Sequence, residues 1–191
     1  MRPGENQFAG SSPLSAPPGP AGALKIQSYS AAHTAHVGAV VARHAVGGDL
    51  IALEGDLGSG KTQFVRGMAE GLGIDPANVS SPTFVLVHEY ENPASQEILV
   101  HVDAYRLHGA ADLESIGWEA ADNEHRRGAI VVVEWADRLE SHTGPDVLEV
   151  RFTHVAQDMR HLQLVGAGSW RRRLPKLRHD LAAISPVDGG G

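Results

Sequence analysis

A glycine-rich octet at residues 55–62 carries the clearest chemical signal in the sequence. It fits the pattern G-x-x-x-x-G-K-[ST], in which backbone N–H groups surround a phosphate and the next helix directs its positive dipole end at that anion. In this pattern the lysine, here Lys61, reaches the β- and γ-phosphates, and the hydroxyl of Thr62 ligates Mg²⁺. The sequence therefore predicts a nucleotide-binding loop made of Gly55, Asp56, Leu57, Gly58, Ser59, Gly60, Lys61 and Thr62.

Two acidic residues each follow a short apolar run. Residues 98–102 lead to Asp103, and residues 129–133 lead to Glu134. In open α/β sheets the carboxyl ends of the strands face the ligand. A phosphate loop also needs a carboxylate for Mg²⁺ and a group that positions the attacking water or hydroxyl. We expect Asp103 and Glu134 to fill these two roles, and the residues alone leave open which acid takes which role.

The sequence encodes less directly which nucleobase the loop binds and which reaction the protein supports. None of the lysines opens a guanine-reading K-x-D sequence, so adenine is the favoured base. A small-molecule kinase stays an alternative, with Arg66, Arg106 and the pair Arg126 and Arg127 as substrate-side cations. A module that binds nucleotide without hydrolysing it, and only switches partner contacts, is a second alternative.

Further motifs follow the loop in a fixed order, and together they are far more specific than the loop alone. They are Ser81-Pro82-Thr83-Phe84, His101-x-Asp103-x-Tyr105-Arg106-Leu107 and Glu134-Trp135. With the loop, these motifs resemble the bacterial TsaE (YjeE) family, the ATPase component of the machinery that makes threonylcarbamoyladenosine in tRNA. The resemblance spans about residues 24–165 and leaves both ends of the chain unaccounted for.

The resemblance implies a P-loop ATPase that uses ATP and Mg²⁺ and works with two partners, TsaD and TsaB. These partners transfer threonylcarbamoyl to adenosine 37 of tRNAs that read ANN codons. ATP hydrolysis would reset the TsaB–TsaD complex between turnovers, and tRNA would be reached indirectly through that complex. No arginine has a motif-defined finger position, so we expect slow turnover by the lone chain and a partner that completes or orders the site.

The resemblance also assigns roles to single residues. Lys61 and Thr62 match the loop lysine and threonine, and Asp103 matches the metal-side aspartate. Glu134 matches the glutamate needed for hydrolysis, with Mg²⁺ as a further contact. Thr83 falls in a segment that resembles a switch near the γ-phosphate.

Three other positions bear on the nucleotide. By the resemblance, Trp135 would lie beside it. Gln63 departs from the family, in which a second hydroxyl residue often follows the loop threonine. Arg160, next to the strand predicted to start at His161, is a further candidate for contact with the nucleotide.

In the elements that would position these residues, apolar side chains recur either every two residues, as in a strand, or about every 3.6 residues, as in a helix. The spacing of Val37, Val40, Val41 and His44 predicts a helix capped by Ser30, and a second helix follows the loop as far as Gly73. A third helix is predicted between residues 112 and 127. Short β-rich runs occur at 24–29, 50–54, 84–90, 98–102, 129–133, 147–152 and 161–165. The pattern predicts an α/β fold of the P-loop NTPase type, a three-layer αβα sandwich whose mixed sheet has a parallel core and added antiparallel strands.

Composition limits the remaining possibilities. The chain has 191 residues, a formal net charge of −7 and no cysteine. The missing cysteines exclude disulfides, thiolate nucleophiles and cysteine-ligated metals, and they fit a reducing cytoplasm. The histidine pairs lack a third ligand at zinc spacing. No apolar run approaches the ~18 residues that span a bilayer, so we expect no membrane contact.

Both ends differ from the middle of the chain. Residues 1–22 hold five Pro, four Gly and three Ser and are predicted to be a disordered tail. Residues 23–168 would form the ATPase domain, and residues 169–191 a basic extension with a flexible glycine end. Its cations are interpreted as a solvated segment, with contact to tRNA or an acidic partner as the alternative. They are Arg171, Arg172, Arg173, Lys176 and Arg178.

Overall fold

One mixed β-sheet organises the chain. A computed structural model describes residues 23–82, 86–107, 128–139 and 146–184. Within these ranges the sheet has 7 strands in the spatial order β1-β7-β6-β2-β5-β4-β3. The strands are β1 (Leu24–Ser28), β2 (Leu50–Glu54), β3 (Val87–Glu91), β4 (Ile98–Asp103), β5 (Ile130–Glu134), β6 (Val147–Ala156) and β7 (Met159–Gly166).

The centre of the sheet is parallel and its edges are antiparallel. Strand β2 pairs in parallel with both β5 and β6, and β4 pairs in parallel with β5. Strand β3 is antiparallel to β4, and β7 is antiparallel to β1 and β6. The predicted mixed α/β sheet is therefore confirmed. Because β2, β4 and β5 run in the same direction, their carboxyl ends meet at one edge of the sheet.

Three helices are described: α1 (Ala31–His44), α2 (Lys61–Gly71) and α3 (Trp170–Ala182). The predicted cap of α1 is present, since the hydroxyl of Ser30 accepts a hydrogen bond of 3.0 Å from the backbone N–H of His33. All three helices contribute side chains to the main apolar core, where they meet the inward side chains of the central strands.

Helices α1 and α2 approach each other closely at two glycines. A Cβ at Gly67 would lie 1.8 Å from the carbonyl oxygen of Ala35, and one at Gly38 would lie 2.1 Å from that of Phe64. Real Cβ atoms do not occur at such distances, so any larger residue would force the helices apart. Helix α2 begins at the phosphate loop, and its contact with α1 therefore fixes the direction in which the loop faces.

The C-terminal basic segment is part of the packed unit as far as residue 182. The side chains of Trp170, Leu174 and Leu177 on α3 are buried in the main core. The guanidinium of Arg173 donates to both carboxylate oxygens of Asp49, at 2.5 and 2.7 Å. The sequence predicted a basic extension from the charges of this segment. Its apolar residues, spaced along one side of the helix, pack it against the main core.

A second apolar cluster, which includes Val100, Val102 and Val133, is built mainly by β4, β5 and the segments that follow them. None of the described helices is long and apolar enough to cross a membrane. Several predictions fall outside the described residues, namely the tail 1–22, Thr83 and Phe84, the helix over 112–127 with Arg126 and Arg127, and the glycine end.

Candidate functional site

The predicted phosphate loop connects the end of β2 to the start of α2. Its glycines Gly55, Gly58 and Gly60 have φ values of 141°, 75° and 106°, a region that side-chain-bearing residues rarely adopt. Gly60 is the N-cap of α2 and brings no side chain to the first amides of the helix. Those amides, at the positive end of the helix dipole, face the loop and are suited to an anion.

The ammonium group of Lys61 is held inside the loop. The residue is only 4% exposed, and its Nζ donates to the carbonyl oxygens of Gly55 at 2.6 Å and Asp56 at 2.9 Å. The same Nζ lies 3.8 Å from the centroid of the Trp135 ring. Burial lowers the pKa of this lysine, and the charges of neighbouring acids, Glu134 first among them, oppose that shift. A phosphate would supply the negative charge that this buried ammonium requires.

Glu134 lies at the end of β5 and joins the loop to the sheet. Its Oε1 accepts a hydrogen bond of 2.7 Å from the hydroxyl of Thr62 and lies 3.0 Å from Nε2 of His101. The contact with a carboxylate oxygen requires the proton of His101 to be on Nε2. His101 has no solvent exposure, and in the described part of the chain its Nδ1 has no hydrogen-bond partner.

Asp103 ends β4 directly beside Glu134 in the register of β4 and β5. One of its carboxylate oxygens accepts a hydrogen bond of 3.1 Å from the hydroxyl of Ser81, and the other accepts one of 2.9 Å from the backbone N–H of Tyr105. The carboxylate is thus oriented by groups on both of its sides. The structure brings Asp103 and Glu134 together at the edge where the sequence predicted them.

An aromatic pair flanks these acids. Trp135 has a φ of 61°, which turns the chain sharply after β5. Its ring centroid lies 5.1 Å from that of Tyr105, and the guanidinium carbon of Arg138 lies 4.7 Å from the Tyr105 ring. Nothing in the local sequence pattern around Arg138 indicates that its side chain returns to Tyr105.

These residues surround a cleft of about 510 Å³. Gly55 and Asp56 lie behind it and contact Lys61 through their carbonyl oxygens. Arg160 lies on β7, outside the cleft lining, and its guanidinium donates to the carbonyl oxygen of Gln157 at 2.8 Å. The lining comprises Leu57, Gly58, Ser59, Gly60, Lys61, Thr62, Gln63, Arg66, Ser81, Asp103, Tyr105, Glu134 and Trp135.

The oxygen atoms in the cleft fit Mg²⁺ better than a metal held by protein alone. No group of three or more His, Cys, Asp or Glu suited to a metal ion occurs among the described residues. Mg²⁺ usually takes one or two carboxylates together with water and substrate phosphates. The hydroxyl of Thr62 and the carboxylates of Asp103 and Glu134 supply hard oxygen ligands of this kind beside the phosphate loop.

Comparison with known proteins gives a consistent result. A family model described as threonylcarbamoyl adenosine biosynthesis protein TsaE matches residues 28–162. A Streptomyces coelicolor protein named tRNA threonylcarbamoyladenosine biosynthesis protein TsaE is 37% identical over 126 residues, which cover 63% of this chain and 82% of that protein. A Bacillus subtilis protein of the same name is 34% identical over 146 residues, which cover 76% of this chain and 87% of that protein.

The fold agrees with a solved structure as well. The crystal structure of Bacillus subtilis YdiB superposes with a TM-score of 0.62 at 28% sequence identity. The superposition covers 84% of this chain and 94% of that one. The sheet and helices described here are therefore shared across nearly the whole of that protein.

Proposed function

The chain belongs to the TsaE family of threonylcarbamoyl adenosine biosynthesis proteins, and on that premise we propose that it is a P-loop ATPase of tRNA modification. One observation carries the ATPase assignment. The cleft contains Lys61 and Thr62 from the loop together with Asp103 and Glu134 from two neighbouring strand ends. This set supplies three of the groups that phosphoryl transfer uses: a phosphate cation, Mg²⁺ ligands and an acid that orients water.

Each residue has a distinct task in this proposal. The loop amides and the ammonium of Lys61 bind the phosphates, and Trp135 lies beside the nucleotide. Thr62 and Asp103 would hold Mg²⁺, with Glu134 as a further contact, and the ion would neutralise phosphate charge.

The chemical step is hydrolysis of the terminal phosphoanhydride bond. Glu134 orients a water molecule and accepts its proton while the water oxygen bonds to the γ-phosphorus and the bond to the β-phosphate oxygen breaks. The products are ADP and inorganic phosphate. His101 keeps the Glu134 carboxylate in place for this step, since its Nε2 lies 3.0 Å from Oε1.

The arginine that lines the cleft is already engaged within this chain, and we infer from this that ATP hydrolysis depends on a partner. Arg66 is the arginine among the lining residues, and its guanidinium already donates to the carbonyl oxygen of Val79 at 3.0 Å and to Gln63 at 3.3 Å. A cation that stabilises the transition state contributes about 10³–10⁵ in rate. We therefore propose slow turnover by the lone chain and a site completed by a TsaD-like or TsaB-like partner.

In the cell, ATP hydrolysis would reset the TsaB–TsaD complex between rounds of threonylcarbamoyl transfer. Contact with the modified tRNA would run mainly through that complex, in the cytoplasm where tRNA is modified. Thr83, in the segment that resembles a switch, would respond to the γ-phosphate.

The test measures ATP hydrolysis by the wild type and Glu134→Ala, with and without TsaB, TsaD and tRNA. We expect slow hydrolysis by the lone wild type, acceleration in the full mixture, and no hydrolysis by Glu134→Ala although it still binds ATP. ATP consumption that yields a phosphorylated small molecule would instead identify a kinase. Intact ATP binding with no hydrolysis in any mixture would identify a nucleotide-dependent binding module.

A further inference from the structure

The exposed side of α3 is strongly basic. At 3.6 residues per turn, the cations at positions 171, 172, 176 and 178 spread over about 160° of the helix surface, with positions 172 and 176 opposite the buried residues and positions 171 and 178 along one flank. All four side chains are exposed, and among the described residues none of them forms an ion pair within 4.0 Å. We call this surface the basic face, made of Arg171, Arg172, Lys176 and Arg178.

The basic face is carried by a firmly attached helix. Trp170 and Leu177 of α3 have no solvent exposure. The bidentate contact of Arg173 with Asp49 and the contact of 2.8 Å between His44 and Asp180 fasten both halves of the helix to the body of the protein. The cations are therefore presented on a fixed platform, so a ligand would not have to order this backbone on binding.

We propose that the basic face binds the phosphate backbone of RNA. Its charge is opposite to that of the chain as a whole, which has a net charge of −7, so this helix is suited to an anionic partner. Three of its four cations are arginines, whose planar guanidinium groups fit phosphate oxygens in pairs. Given the proposed function, the RNA is a tRNA, which this chain contacts directly at a surface outside the nucleotide cleft in addition to its indirect contact through the TsaB–TsaD complex.

An acidic protein fits the same surface less well. Protein interfaces have a core of aromatic and other apolar anchors. None of the large apolar side chains exposed in the described ranges lies on α3. Arg178 borders an apolar pocket with Leu24 and Leu181 at one edge of the face. The rest of the face presents cations without apolar anchors, which is typical of attraction to a polyanion through counterion release.

The experiment measures binding of an unmodified tRNA transcript to the full chain by fluorescence anisotropy between 50 and 200 mM salt. The test variant is Arg171→Gln with Lys176→Gln, while Arg172 is kept because its charge also acts on Asp146. The control variant is Arg43→Gln with Arg160→Gln, which removes the same charge outside the basic face from two side chains that form no ion pair among the described residues.

We expect the test variant to lower the slope of log Kd against log salt by about 1.4–1.8, since each phosphate contact contributes about 0.7–0.9. Its affinity should fall by about tenfold at the lower salt concentration, and the control variant should bind like the wild type. Equal weakening in both variants, no binding of tRNA by the wild type at 50 mM salt, or equal affinity for polyglutamate would each overturn the proposal. ATP hydrolysis measured on the same preparations tests the proposed ATPase separately, because the basic face lies outside the cleft.

Discussion

The hydroxyl of Thr62 lies 2.7 Å from Oε1 of Glu134, so the phosphate loop and the end of β5 are joined by one hydrogen bond. The same oxygen meets Nε2 of His101 from the neighbouring strand β4. A carboxylate oxygen can accept both bonds, and together they fix its position beside the cleft. Residues from three separate parts of the sequence thus converge on one atom.

Replacing Glu134 by Gln should separate hydrolysis from binding. The amide keeps the shape of the side chain and can still accept the Thr62 hydrogen bond, but it cannot take a proton from water. We expect hydrolysis to fall by about 10²–10⁴, the usual contribution of a general base, with the Kd for ATP nearly unchanged. Phosphate release and calorimetric titration measure the two quantities. Glu91→Gln, the same change at the exposed end of β3, should alter neither, and a parallel loss of ATP binding in Glu134→Gln would contradict the assigned role.

His101 should act as a positioning residue for Glu134. His101→Leu fills the buried space but provides no donor, so the carboxylate loses one of its two restraints. His101→Gln keeps a donor and should retain more activity. We expect kcat to fall in the leucine variant with little change in KM, and partial recovery of kcat in the glutamine variant. Equal kcat values in two folded variants would limit His101 to a packing role.

The local parts of the site could be predicted from the sequence because each is encoded by adjacent residues. The loop around Lys61 is a contiguous pattern, and Asp103 and Glu134 follow recognisable apolar runs. The mixed sheet was predictable for the same reason, since strands such as β2 and β5 are short, apolar and well separated by turn residues.

Contacts between distant segments could not be predicted in this way. The pairing of His101 with Glu134 depends on the register of β4 and β5, and the contact of Arg138 with Tyr105 depends on the turn after β5. The attachment of α3 also includes the contact of Arg173 with Asp49, a partner 124 residues away. Each of these depends on tertiary structure, which residue spacing along one segment does not encode.

Lys61→Met should remove ATP binding without destabilising the nucleotide-free protein. Methionine keeps the apolar stem but cannot neutralise phosphate, so the rise in Tm that ATP gives the wild type should vanish. Because burial lowers the pKa of Lys61, the charged lysine opposes folding at neutral pH. The free energy of unfolding of the wild type should therefore rise relative to the variant as pH increases from the lowered pKa towards 10.5. Denaturant titrations of both proteins at neutral and alkaline pH measure this difference in the free energy of unfolding. A difference that shifts in favour of the variant as pH rises would contradict the prediction.

Trp135 should report nucleotide binding through its fluorescence. The Lys61 ammonium lies 3.8 Å from the centre of its ring, and a phosphate bound by that ammonium changes the charge next to the indole. We expect the emission of the wild type to change on titration with ATP and Mg²⁺, and Trp135→Phe to lose most of this signal while still binding ATP. Tyr105→Phe keeps the neighbouring ring and should keep the signal. A full signal in Trp135→Phe would assign it to another tryptophan.

Arg173→Met should test the attachment of α3 to the body of the protein. Asp49 is 4% exposed, and without the guanidinium its carboxylate would be buried with only the backbone N–H of Val46, at 2.8 Å, among its present partners. We expect a loss of about 1.5–3 kcal/mol in the free energy of unfolding, measured by urea titration. Arg171→Met, an exposed change on the same helix, should stay within about 0.5 kcal/mol of the wild type. Adding Asp49→Asn to Arg173→Met removes the unpaired charge and should recover part of the loss. If the loss in the free energy of unfolding of the double variant equals the sum of the losses in Arg173→Met and Asp49→Asn alone, then the ion pair does not couple α3 to the rest of the protein.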